Sequence, residues 1–142
     1  MHLPFWNGSR MFGRLLLTAS AIFLAILGLA GLFAPDEIAS LLDRSAPPTL
    51  ALALQLAAGG LLGFAMLNWM SRRNRIGGIY GRPLGVGNLL LFAVGASSLG
   101  KAAVAGTVPA ATIPLTALFA LLAAAFAWLV FVHDPLSRAE AR

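Results

Sequence analysis

Apolar residues run through this chain in long blocks, and the few charges fall between them. Uncharged stretches extend over 15–35, 45–71, 83–100 and 102–133. A helix crosses a bilayer with about 20 apolar residues, each adding about 1.5 Å of rise. The pattern therefore predicts spanning helices at about 15–33, 50–70, 84–105 and 112–132. They must be helices because lipid offers backbone N–H and C=O groups no partner, and an open strand edge would leave a row of them bare. The expected architecture is all-α: one integral membrane four-helix bundle over 1–142.

Two features complicate the spans. Lys101 falls inside the third, where its long stem can carry the ammonium to the interface about one turn away. After the first span, Pro35 closes one helix or opens another, and Asp36 and Glu37 suit the positive N-terminal end of a short helix. Ile38, Leu41 and Leu42 share one face, so this segment reads as an amphipathic helix lying on the interface. Ala46-Pro47-Pro48 then turns the chain back, and Gly106-Thr107-Val108-Pro109 reads as a short, featureless loop.

Composition agrees with lipid as the solvent. Apolar residues make up 59% of the 142 and charged residues 11%, with a mean hydropathy of +0.86. About 25% charge is usual in a soluble domain, so this chain has too few charges to cover a watery surface. With no cysteine, thiolate catalysis, disulfides and iron–sulfur ligation are excluded. The net charge of +5 does not point to nucleic acid, because the basic residues sit in short segments beside apolar runs.

Those basic residues set a direction. Arg10, Arg14, Arg72, Arg73, Arg75, Arg82, Arg138 and Arg142 fall on one side of the predicted bundle, and Arg44 and Lys101 on the other. The positive-inside rule places both termini and the central loop in the cytoplasm. Arg10 and Arg14 before an apolar run also fit a signal peptide, with Gly28-Leu29-Ala30 offering small residues for cleavage. The run is long enough to span, and it reads as an uncleaved first helix. Arg in place of Lys, with abundant Ala, Gly and Leu, suits a GC-rich bacterial genome. The expected location is the bacterial cytoplasmic (inner) membrane.

Small residues mark candidate packing faces. Gly59 and Gly63 form a GxxxG step in the second span beside Gly60, and Gly87, Gly95 and Gly100 lie in the third. Such residues let helix backbones approach closely in lipid. The plain expectation is packing within the chain; association between copies is the sharper one. Trp69, Trp128 and Phe131 fall near the cytoplasmic ends of spans, where aromatic rings favour the headgroup boundary.

No Asp, Glu or His lies mid-span, which argues against proton-coupled transport. His2 and His133 both sit at one edge, so neither haem ligation nor a metal site is expected, and no cofactor is implied. What remains are amides. Gln55, Asn68 and Asn88 are the candidate polar pocket; Asn68 lies four residues before Arg72 and Asn88 six after Arg82, at similar depth on antiparallel helices. A hydrogen bond pinning two helices is the plain reading of the asparagines, and a pocket floor the sharper one. Beside them, Arg72, Arg73, Arg75, Tyr80 and Arg82 with three loop glycines form a candidate site for a lipid headgroup or another anion. Glycine backbone and guanidinium forks both suit phosphate. A tight turn with topology-setting charges would serve as well.

The four spans, the helix end Gly31-Leu32-Phe33-Ala34-Pro35-Asp36-Glu37 and the amphipathic segment after it resemble the DoxX-like small bacterial membrane proteins. That resemblance implies a four-helix fold, in a group whose members resemble accessory subunits of quinone-linked membrane oxidoreductases or have no assigned role. It carries over no site residue, and the segment from Asn68-Trp69 to Gly78-Ile79-Tyr80-Gly81-Arg82-Pro83 does not match the family's pattern. The leading expectation is a non-catalytic accessory or assembly subunit, not an enzyme, that binds lipid or partner helices. The alternatives are a small-solute carrier or channel along Gln55, Asn68 and Asn88, and a quinone-linked redox accessory subunit.

Overall fold

A computed structural model describes residues 5–73 and 81–131, with side chains from Met11 onward. Its regular elements over that range are all helical: α1 Phe5–Phe33, α2 Pro35–Leu42, α3 Pro48–Ser71, α4 Gly81–Val104 and α5 Ile113–Phe131, with a 3₁₀ turn at Ala110–Thr112 before α5. Four of these helices are long and apolar enough to cross a membrane. The first begins well before the expected span, and 5–14 holds no proline to stop it.

Helix ends follow local chemistry. Pro35 and Pro48 open α2 and α3, where a missing N–H costs nothing and the fixed φ suits the first turn. Between them, the Asp43 carboxylate accepts from the Ser45 N–H at 2.9 Å and from the Ser45 hydroxyl at 2.7 Å. These bonds, the backbone one first, hold the Asp43 carboxyl below the usual range. The loop after α4 is not featureless. Gly106 takes a positive φ of 66°, its N–H donates to the Ala103 carbonyl at 3.1 Å, and the Thr107 N–H donates to Ala102 at 3.0 Å. That is a Schellman ending, which a residue with a Cβ adopts only under strain.

The helices associate as two tight pairs, α1 with α3 and α4 with α5. Glycine makes each close approach. A Cβ added at Gly28 of α1 would sit 2.7 Å from Leu62 Cγ, and one at Gly31 would sit 3.1 Å from Ala58 Cβ. In the other pair, Gly85 faces Val130 and Gly95 lies under the Phe119 ring. Between the pairs the spacing is filled by large side chains. Phe23 of α1, Phe92 of α4, and Phe119 and Phe126 of α5 form a continuous aromatic cluster, with ring centroids 5.5–6.4 Å apart. Leu17 and Leu24 are buried beside them.

This arrangement corrects the plain form of the GxxxG expectation, packing of Gly59 and Gly63 within the chain; association between copies is not addressed by it. Nothing lies within 4 Å of a Cβ built at Gly59, Gly60 or Gly63. α1 packs on the opposite face of α3, against Ala58 and Leu62, so the within-chain glycine contacts come from α1 instead.

Candidate functional site

Polar side chains meet at one place inside the bundle, toward the end that carries Arg14, Arg72 and Arg82. Asn68 lies on the last turn of α3, Asn88 on the second turn of α4, and Ser20 in the middle of α1. All three are fully buried. The two amides face each other reciprocally: Asn68 Nδ2 donates to Asn88 Oδ1 and Asn88 Nδ2 to Asn68 Oδ1, each at 2.7 Å. The remaining donors are also used. Asn68 Nδ2 reaches Ser20 Oγ at 3.0 Å, Asn88 Nδ2 reaches the Leu84 carbonyl at 2.9 Å, and Ser20 Oγ donates to the Leu17 carbonyl at 3.1 Å. Turning either amide over would set N–H against N–H, so the network fixes both orientations.

A buried polar network is stabilising only if every member is satisfied, and no buried side-chain N or O among the described residues lacks a partner. The group is therefore a clasp that joins α1, α3 and α4. Its amides carry no titratable proton near neutral pH, and its donors have no capacity left for a ligand.

Gln55 does not belong to it. It is exposed on α3, thirteen residues from Asn68, which is about 20 Å along the axis. It makes no hydrogen bond among the described residues. A continuous polar track through Gln55, Asn68 and Asn88 is not formed. Ser20 was not among the sequence candidates. The one signal for it was a small hydroxyl residue, one of two with Thr18 in the first span, on the stripe that holds Leu17 and Leu24.

At the arginine end, the Arg72 guanidinium stacks over the Trp69 ring, 3.6 Å from its centroid, and also donates to the Trp69 carbonyl. Arg73 and Arg82 are exposed. Arg75 and Tyr80 lie outside the described residues, as do His2 and His133. At the other end a cleft of about 160 Å³ opens between α2 and the start of α3, lined by Asp36, Ser40, Asp43, Arg44 and Pro47. None of the candidate site residues lines it. No group of three or more His, Cys, Asp or Glu that could hold a metal occurs among the described residues.

Fold and site together define a helical protein with four membrane-length apolar helices and a closed amide clasp at its core. No family model, curated protein or solved structure matches the chain.

Proposed function

We propose that this chain is a non-catalytic, multi-pass subunit of the bacterial cytoplasmic membrane that works by binding partner helices and lipid. Both termini and the 72–82 segment face the cytoplasm in this reading, and α2 lies on the outer interface with Asp36 and Glu37 toward water. The observation that carries it is the outward face of α3. This helix is the least covered of the four together with α4, and three of its glycines meet nothing among the described residues. A surface shaped for close approach and left open suits an assembly partner. Arg72, Arg73 and Arg82, gathered at one end, suit an anionic headgroup. The resemblance to DoxX-like proteins adds a quinone-linked oxidoreductase as one class of partner.

Copurification from native membranes, read by mass spectrometry of protein and lipid, tests this. A stoichiometric second component, whether this chain or another, is expected, with anionic lipid that falls in an Arg73→Ala, Arg82→Ala variant. Recovery as a monomer only would overturn the assembly reading, and unchanged lipid retention would overturn the headgroup reading.

A further inference from the structure

We infer that two copies of this chain pair in parallel through α3, with Gln55 of each seated over Gly60 of the other. This rests on the assembly reading above and names its partner.

The outward face of α3 is regular. Leu52, Leu56, Gly59, Gly63, Met66 and Met70 follow one another at intervals of four and three residues, the spacing of a two-stranded helix seam. All six are exposed: Leu56 by 73%, Met70 by 68%, Met66 by 60% and Leu52 by 57%, with open space at both glycines. Large residues at each end and glycines at the waist allow two such helices to close on each other at the centre. Gly28, Gly31, Gly85, Gly87 and Gly95 all have a neighbour within 3.3 Å of an added Cβ. Gly59, Gly60 and Gly63 have none, although each weakens a helix by about 1 kcal/mol relative to Ala. No contact among the described residues offsets this.

Gln55 is a second and separate observation. It lies seven residues into α3, about 10 Å along its axis, on an apolar span. Its amide has no partner among the described residues, and lipid cannot supply one. In a parallel two-stranded seam, the residue flanking one side faces the residue five positions further along on the opposite helix. With the seam set by Leu56, Gly59 and Gly63, Gln55 flanks it, and five positions on is Gly60. A glycine there leaves the carbonyl of Leu56, one turn back, accessible to the Gln55 Nε2 donor. Donor and recess occur on the same helix at the offset that an in-register parallel pair requires. Two copies inserted in one orientation meet this condition twice about a two-fold axis. A different protein would have to reproduce both features on its own helix.

The chain has no cysteine, so single replacements report cleanly. Leu56→Cys and Met66→Cys, oxidised with copper phenanthroline in native membranes, are expected to give a covalent dimer. Seam residues of a close helix pair bring their Cα atoms within the roughly 6 Å that a disulfide bridges. Leu90→Cys on α4, exposed by 59%, is the control and is expected to stay monomeric. Adding Gly63→Leu to Leu56→Cys should lower the dimer yield by roughly tenfold. It should leave the folded monomer intact, because nothing lies within 4 Å at that position. Gln55→Leu should lower the yield in the same direction. Absence of a dimer from both α3 positions, or equal dimer from Leu90→Cys, overturns the inference. If Gly63→Leu instead releases a different copurifying protein, the pairing falls while the assembly reading stands; if neither a second copy nor another protein copurifies, both fall.

Discussion

At the scale of single residues, the clasp makes a prediction that separates it from a binding pocket. Asn88→Ala would leave the buried Asn68 amide without its donor and acceptor, an expected loss of about 1–3 kcal/mol. Replacing both partners together, as in an Asn68→Leu, Asn88→Leu variant, removes the stranded groups and should recover most of that loss. Ser20→Ala strands only one N–H and should cost less than Asn88→Ala. Thermal unfolding of the three variants in detergent checks the order. A double variant worse than Asn88→Ala would mean the amides do more than satisfy each other. The asparagines were legible in the sequence because their distances from Arg72 and Arg82 set them at one depth. Ser20 was not, because depth along α1 does not say which way a side chain faces. Gln55 misled for the same reason: its polarity was plain, but its face depended on where α1 docks.

At the scale of elements, charges and prolines made the helices legible, since each boundary is a local event. Pro35 with Asp36 and Glu37 marks α2 without reference to the rest of the fold. The glycines show the limit. Spacing alone makes Gly59 and Gly63 look like packing residues, yet Gly28 and Gly31 take the contacts with α3. Two faces of one helix can both be smooth, and only the neighbour's position decides which is used. The contrast is measurable. Gly95→Ala would place its Cβ inside contact distance of the Phe119 ring, which Phe23 and Phe92 hold from two sides. A loss of about 1–3 kcal/mol is expected from such overpacking. Gly60→Ala, studied at a protein-to-detergent ratio low enough to keep the chain monomeric, should be neutral or stabilising by up to about 1 kcal/mol. Circular dichroism melts of the two variants read both signs. A destabilising Gly60→Ala would show that α3 has a neighbour within the monomer on that face.

At the scale of the whole molecule, the proposed insertion rests on charge. Eight of the ten basic residues in the sequence fall on the side expected to carry both termini and the 72–82 segment, against Arg44 and Lys101 on the other. By the positive-inside rule such a bias favours a single orientation, and the proposed parallel pairing through α3 depends on it, because copies of mixed orientation would present the seam head to tail. The absence of native cysteine again makes the test direct. Ser45→Cys, exposed at the turn between α2 and α3, is expected to react with a membrane-impermeant maleimide added to intact cells whose outer barrier has been opened. Arg73→Cys, exposed at the opposite end, should react only after the inner membrane is permeabilised; seven basic residues remain to hold the orientation. Labelling of both sites before permeabilisation would mean dual insertion. In that case half of all encounters between copies would be antiparallel, Gln55 would no longer meet Gly60, and cross-linking at Leu56→Cys should fall with it.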